Sequence, residues 1–341
     1  MSLFERKIKD FPTIIKWVEG ADVSALHHFI FDNSSANRFF LGSGGSYSAA
    51  AFAESLSVQK GLMSRAITPF MFDGGHYNLI PASTLLISAS GSNNDILRSY
   101  KEANNGEVQK VGALTLTSKG WLHDEMGKDK SDTLFEFPIP TGRDGFLSTN
   151  TVLAFYLFLY KAFGYDDIDL LDSTITPEEE KEISDFVKSL KQIPLDGMTS
   201  QEAFLHKLEG VDSFFILYTA NSYPAAIDIE SKFSEGAMGN TQLADYRNFA
   251  HGRFNWFTQR PGQTGLICLQ TPEDMQMSEE ILSRLPVHVP ILRIKTEHRT
   301  SLGCIDLLIK EHFLCKAMAE RWGLDISRPK VPDYGRYLHN L

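Results

Sequence analysis

Two loops rich in serine and glycine carry the side chains in this sequence best suited to chemistry. The first reads GSGGSYSA (Gly42–Ala49) and the second SASGSNND (Ser88–Asp95). Each follows an apolar run with strand character and precedes a helical stretch. Glycine lets a backbone approach a ligand closely. The first N–H groups of a helix lack intrahelical partners and favour an anion. Two such loops side by side form a nest of hydroxyls and amides without a lysine, which suits a phosphate monoester. Serine and glycine are also the ordinary residues of turns and helix caps, and either loop taken alone is read that way first. Two of them at the same end of one sheet favour a ligand. Neither is a P-loop, since no Gly-Lys-Ser/Thr follows, and GSGGSY lacks the third glycine of a dinucleotide fingerprint.

A second set of groups lies in the other half of the chain. Asp228, Lys232 and Glu235 stand at i, i+4 and i+7 and so share one helix face. His251 follows beside Gly252 in NFAHGRFNW. Taken singly, these residues read first as an exposed salt-bridged helix face and an incidental histidine. Small residues on the same helix imply tight packing, and a charged stripe there is expected to face a cleft. The phosphate features are missing from this half: its loop YTANSYP has no glycine, and a later strand ends in LQTPED.

The elements that position these groups occur twice. SYSAAAFAES (Ser46–Ser55) and SYPAAIDIES (Ser222–Ser231) share six of ten residues, and a Phe-Phe pair precedes both. They lie roughly half a chain apart, far longer than the ~20–50-residue period of a solenoid, so one domain is read as written twice. Strand-like runs at 37–43, 83–90, 110–118 and 132–140 alternate with helical stretches near 46–60, 93–104 and 146–163. The alternation restarts with strands at 212–220, 262–270 and 289–295 and helices at 222–238 and 304–323. Such alternation implies parallel sheets covered on both faces. Ligands in such sheets bind outside the carboxyl ends of the strands, which is where the repeated phrase falls. Thr176, Pro177 and the acids after them predict a helix start inside a connecting stretch near 165–192. The expected fold class is α/β, with two similar doubly wound, flavodoxin-like parallel-sheet domains in tandem. N-terminal helices occupy 1–34, the first domain 35–172, the second 173–325 and a tail 326–341.

The chain's 341 residues suit about two domains, since single cores rarely grow past ~250–300 residues. With 43% apolar and 22% charged residues, the composition is that of an ordinary soluble protein. A net charge of −10 argues against nucleic acid and acidic membrane as partners, because both require a basic face. It leaves room for a small anion held by local dipoles. Cys268, Cys304 and Cys315 show no metal spacing and read as reduced thiols of a cytoplasmic protein. No metal and no cofactor is expected. No apolar run reaches ~18 residues; the nearest is Thr151–Phe163. The opening MSLFERKIKDF carries charges where a signal peptide would carry its apolar region.

These motifs resemble the sugar isomerase (SIS) domain family, most closely the tandem isomerase half of glucosamine-6-phosphate synthase and the fructosamine-6-phosphate deglycases. The resemblance covers about residues 35–341. GSGGSY is similar to the family's first Ser-Tyr loop, and SASGSNND to its Ser-x-Ser-Gly-x-Thr phosphate loop. GRDGFLSTNT (Gly142–Thr151) is similar to its Gly-Thr-Glu…Ser-Thr-Lys segment. YPAAIDIESKFSE…FAHG is similar to its Tyr-Pro…Lys-x-x-Glu…His-Gly segment, with the 16-residue step from Glu235 to His251 kept. The resemblance implies that Ser43, Ser46, Ser88, Ser90 and Asn93 bind a sugar phosphate and that Gly44, Gly45 and Ser148 line the substrate. It implies that Glu235 shuttles a proton, that His251 opens the sugar ring and that Asp228 and Lys232 line the same site. Lys330, in SRPKVPDYG, would reach the site from the tail. Three residues depart from the pattern: Ala89 replaces a common Gln, Asn93 a Thr and Asn150 a Lys.

The implied activity is aldose–ketose isomerisation or fructosamine-6-phosphate deglycation through an enediol or enolamine. Ring opening suits an imidazole. One carboxylate can serve both carbons as base and then acid. A lysine can stabilise the enediolate or attack a carbonyl. The alternative is a sugar-phosphate sensor without catalysis. Retention of Glu235 and His251 favours the enzyme, as does the expectation that no DNA-binding segment precedes the first domain. The resemblance also implies a homodimer or higher homo-oligomer in which two subunits complete each site. The Phe and Trp of GRFNWFT, expected to be exposed, suit such an interface.

Overall fold

A computed structural model describes residues 1–32, 36–126, 128, 133–190, 211–260 and 263–334. The end of the expected tail, 335–341, and residues 191–192 of the expected connecting stretch lie outside the described residues. The chain divides into two compact units: Arg6–Leu170 with the segment starting at Ser327, and Leu171–Ile326 with Ser2–Glu5.

In the first unit, α1 (Phe11–Glu19) and α2 (Ser24–Phe31) lead into β1 (Asn37–Leu41). There follow α3 (Gly45–Gln59), β2 (Met63–Ile67), β3 (Ser83–Ile87), α4 (Asn94–Asn105), β4 (Lys110–Thr115), β5 (Thr133–Glu136) and α5 (Asn150–Ala162). The five strands are parallel in the order β2-β1-β3-β4-β5, the flavodoxin-like winding. β3 is buried along its whole length, as a strand covered on both faces must be. The apolar run at Thr151–Phe163 forms α5, the central helix of this unit. Phe52 of α3 stacks on Tyr156 at 4.3 Å, and Trp17 of α1 meets Phe158 edge-on at 5.0 Å. Ala49, Ala50, Ala51 and Ala53 are buried and let α3 lie close to its neighbours.

The second unit contains α6 (Pro177–Ser189), β6 (Ser213–Tyr218), α7 (Tyr223–Glu235), β7 (Asn240–Asp245) and β8 (Thr264–Gln270). α8 (Met275–Leu282), β9 (Ile291–Lys295) and α9 (Thr300–Trp322) complete it. Its sheet is also parallel, in the order β7-β6-β8-β9, which repeats the order of the first four strands of the first unit. α3 and α7, which carry the repeated phrase, both follow the first strand of their sheet. No helix among the described residues is long and apolar enough to cross a membrane.

Helix ends follow their sequence signals. Gly323 adopts a left-handed conformation (φ 64°) and stops α9, as glycine does at the end of a helix. Thr176 accepts a hydrogen bond from Glu179 N, while Thr176 N donates to Glu179 Oε2 at 2.8 Å, closing a capping box ahead of α6. Thr176→Ala should therefore lower the stability of the second unit by about 1 kcal/mol, read by urea denaturation, and Thr176→Ser should restore it. Equal stability of the alanine variant would show that the box contributes nothing.

Candidate functional site

In the first unit the chain leaves β1 toward β2 on one side and leaves β3 toward β4 on the other. The carboxyl ends of these adjacent strands therefore flank a topological switch point, the usual ligand crevice of this winding. The two serine loops stand on either side of it. Gly42 opens the first loop; a Cβ there would lie 2.3 Å from the carbonyl oxygen of Ser46, so only glycine allows the loop to fold onto the first turn of α3. Gly44 takes a positive φ of 54° and starts α3 without a side-chain cap. The amides of Ser46 and Tyr47 bond back to the carbonyls of Ser43 and Gly44, so fewer helix-start amides are open to a ligand than the sequence suggests. Ser43, Gly45 and Ser46 are half-buried, and Gly44 is exposed.

The second loop is organised to donate. Ser88 Oγ accepts from Gly91 N and Ser90 Oγ from Ser92 N, both at 3.2 Å. With an acceptor position filled on each, their hydroxyl protons are available to an anion. Asn93 is the N-cap of α4, its Oδ1 accepting from Asp95 N at 2.8 Å and Ile96 N at 3.4 Å. Asn93 is thus a helix cap. Gly120, passed over in the sequence, supports this loop: a Cβ there would meet Ser90 O at 2.5 Å and Ser92 Oγ at 2.6 Å. A lone glycine between a strand and a helix was its only signal.

The segment before α5 carries its own anion. Asp144 Oδ2 accepts from Thr149 N, Thr151 N and Thr151 Oγ1 at 2.8–2.9 Å, and Lys7 Nζ lies 3.9 Å from Oδ1. Ser148 shares a hydrogen bond with Thr151 Oγ1 at 2.8 Å. Asn150 is buried and donates to Asp10 and Thr141.

The corresponding crevice of the second unit, between β6 and β8, is closed by a carboxylate. Asp274 Oδ2 accepts from Thr219 Oγ1 at 2.5 Å and Thr271 Oγ1 at 2.9 Å, and Oδ1 accepts from Thr271 N at 2.9 Å. Ser222, the counterpart of Ser46, is fully buried and accepts from Thr219 N at 3.0 Å.

The charged stripe of α7 does not face a cleft as a whole. Asp228 and Lys232 are buried and paired with each other, and Lys232 Nζ also lies 3.4 Å from Glu311 Oε1 on α9. Periodicity placed the two residues on one face correctly, but that face packs on a helix. Only Glu235, the last residue of α7, is exposed; Ser231 Oγ donates to its Oε1 at 2.7 Å. Asp228, Glu311 and His312 bring ligand atoms within 4.8 Å of one another, a spacing open to a metal ion. The Lys232 ammonium already supplies a cation there.

His251 is exposed in a turn after β7, anchored by buried Tyr246 and Phe249. α7 runs from the carboxyl end of β6 back to the amino end of the sheet, so Glu235 lies near the start of β7. His251 lies beyond the end of that strand, about 20 Å away for six residues at ~3.3 Å each. The second unit thus holds Glu235 and His251 at opposite ends of its sheet. Beside His251, Phe254 is exposed, whereas Trp256 is half-buried, its Nε1 donating to Thr264 Oγ1 at 2.6 Å. The side chain of Phe257 lies outside the described ones. Lys330 is exposed, in the segment that belongs to the first unit.

No protein-family model matches the sequence, and no curated protein matches it. Solved structures do. Glucosamine-6-phosphate deaminase from Thermotoga maritima aligns over 96% of this chain and 98% of its own, with a TM-score of 0.68 at 15% identity. The chain has the sugar isomerase fold. The C-terminal domain of glucosamine-fructose-6-phosphate aminotransferase from Francisella tularensis aligns over the same shares, with a TM-score of 0.68 at 14% identity. A protein from Salmonella typhimurium LT2, provisionally described as sugar-binding, aligns over 92% of this chain and 99% of its own, with a TM-score of 0.64 at 14% identity. At these identities the likeness is one of fold.

The buried cluster of the second unit sets a pH dependence. Burial pushes the Glu311 carboxyl up to about 8, and nearby Lys232 pulls it only partly back. The folded protein therefore holds this proton more tightly than the unfolded chain does. That stabilisation is fully present below the ordinary carboxylate range and is lost as pH rises toward and through 8. Between pH 6 and 9 the wild type should lose roughly 1–3 kcal/mol of stability. Glu311→Gln, which mimics the protonated acid, should lose much less. Parallel pH profiles of the two proteins in urea denaturation would contradict this account.

Proposed function

We propose that this chain is a sugar-phosphate-binding protein and an enzyme, a phosphosugar isomerase or fructosamine-6-phosphate deglycase acting on a 6-phosphate. The reading rests on one observation. Two serine loops flank the switch point of the first sheet: one stands at the head of a helix without a side-chain cap, and in the other Ser88 and Ser90 accept from backbone amides and keep hydroxyl protons to donate. Ser43, Ser46, Ser88 and Ser90 bind the phosphate there, with Asn93 shaping the loop, and Gly44, Gly45 and Ser148 bordering the sugar. Neutral hydroxyls and amides hold a dianion without lysine because each charge-assisted bond is stronger than a neutral one. The remote phosphate supplies binding energy that positions the reacting carbons.

The second unit supplies the proton chemistry in this reading. Glu235 takes a proton from one of C1 and C2 of the open-chain sugar and returns it to the other, while His251 assists ring opening. Because one chain holds these residues at opposite ends of a sheet, a site using both draws them from two copies, and the functional form is a homodimer. Exposed Phe254 beside His251 suits the contact. Asp228 and Lys232 act from below as a buried ion pair that fixes α7 rather than as groups touching substrate. Lys330, exposed on the tail segment, joins the site in this reading.

A second reading, a non-catalytic phosphosugar sensor, is favoured by the burial of Lys232 in a pair with Asp228 and by the likeness in fold to a protein described as sugar-binding. One experiment separates the two. Hexose 6-phosphates and fructosamine 6-phosphates are incubated with the protein in D2O. Deuterium should enter at C1 or C2 with the wild type. Glu235→Gln should slow turnover by about 10²–10⁴ with affinity kept within a few-fold. Mixing Glu235→Gln chains with His251→Asn chains should recover about one quarter of the wild-type rate, since half of the mixed dimers' sites keep both residues. Tight binding with neither turnover nor deuterium exchange would establish the sensor. Turnover that mixing fails to rescue would place Glu235 and His251 outside a shared site.

A further inference from the structure

The second sheet stops one strand short of the first. In the first unit β4 lies between β3 and β5, whereas the matching strand β9 has β8 on one side and no strand on the other among the described residues. The ladder fixes what this edge offers. Leu266 N donates to Pro290 O, and Thr296 N donates to Gln270 O, with Ile267–Leu292 and Leu269–Ile294 in register between them. Alternate residues of a parallel strand turn their backbone groups to the same neighbour. Residues 290, 292, 294 and 296 therefore face β8, and Ile291, Arg293 and Lys295 direct theirs to the open edge. Lys310 Nζ donates to the Lys295 carbonyl at 2.7 Å, leaving Ile291 and Arg293 as the part of the ladder without a strand partner among the described residues.

Two cavities lie end to end along this edge. One, of about 400 Å³, borders Ile294 and Lys295; the other, of about 360 Å³, borders Ile291 and Leu292. Arg293 and Glu182 line both, so they form one groove. Its outer wall is α6, which contributes Glu178, Glu182 and Asp185. The cations of the groove each lie near a carboxylate, Lys295 sharing Glu279 with Arg293 at 4.0 Å. Arg293 Nε binds Glu279 at 3.0 Å, and Lys310 binds Glu179 at 2.7 Å and Asp306 at 3.0 Å. Glu178 and Glu182 form no salt bridge among the described residues. The groove thus combines a strand edge that is unpaired among the described residues with an acidic wall.

We propose that the β9 edge is a docking site for an extended basic segment of a partner protein, which adds a fifth strand to the second sheet. Backbone pairing supplies the attachment, as in other cases of strand addition. Glu178 and Glu182 are one helical turn apart, about 6 Å along α6. Side chains on one face of a strand repeat at about 6.6 Å, so Lys or Arg at alternate positions of the incoming strand meets both acids. An open edge of this kind otherwise invites indiscriminate pairing. The acidic wall restricts it to cations.

The probe is an end-blocked, fluorescently labelled octapeptide of alternating Lys and Val, followed by anisotropy with the full chain. It should bind saturably, and an alternating Glu-Val peptide should not. Glu178→Gln with Glu182→Gln, two exposed positions whose change leaves the fold intact by circular dichroism, should weaken binding about fivefold or more. N-methylation of alternate peptide amides should abolish it. Absence of saturable binding, or equal binding by the methylated peptide or by the double variant, would overturn the proposal. So would self-association of the chain that excess peptide dissolves, since a second copy would then be the groove's occupant.

Discussion

Where a doubly wound sheet reverses direction, two neighbouring strands send their chains to opposite sides, and nothing of the sheet itself covers the gap. The loop ends there carry polar backbone groups that must find partners. Much of this molecule follows from how its two crevices meet that demand. In the first unit, glycines bring the β1 loop onto its helix, and serines accept from backbone amides while keeping protons to donate. In the second unit, Asp274 is drawn in, and two threonines and an amide bond to it. A carboxylate of the chain stands where an outside anion would stand. The same winding is therefore lined by serine hydroxyls and glycines in one unit and satisfied by a carboxylate of the chain in the other.

Closing the second crevice shifts the interest of that unit to its helices. α7 and α9 pack through Asp228, Lys232 and Glu311, all buried. Such a cluster is weak evidence for stability, because desolvation offsets most of the attraction. Within it Asp228 and Lys232 compensate each other, so removing either one would leave a buried charge unpaired. The stripe that looked like a row of active-site groups thus divides into an internal lock and one exposed carboxylate at its end.

How much of this could be read in advance depended on burial. β1, β3 and β4 are continuous apolar runs because both faces of a parallel strand are covered. β2 and β7 carry no such apolar run. MSRAI and NTQLAD are edge strands with partly exposed residues, Met63 being 72% exposed, and neither shows a clean period. The serine loops were legible from local spacing alone. The fate of Lys232 was not, because its partner Glu311 comes from a distant helix, and no local pattern reports which face of α7 that helix will cover. Asp274 was hidden for the same reason: in TPED it reads as an ordinary loop acid, and only the fold brings it to Thr219.

The central claim is that a single crevice in the chain, between the serine loops of the first unit, receives the phosphate of its ligand. A crystal structure grown with fructose 6-phosphate tests it most directly. The phosphate should lie within hydrogen-bonding distance of the Ser46, Ser88 and Ser90 hydroxyls, with Asp274 still bonded to Thr219 and Thr271. Phosphate found at the Thr219–Thr271 crevice, or anywhere away from the two serine loops, would contradict the account.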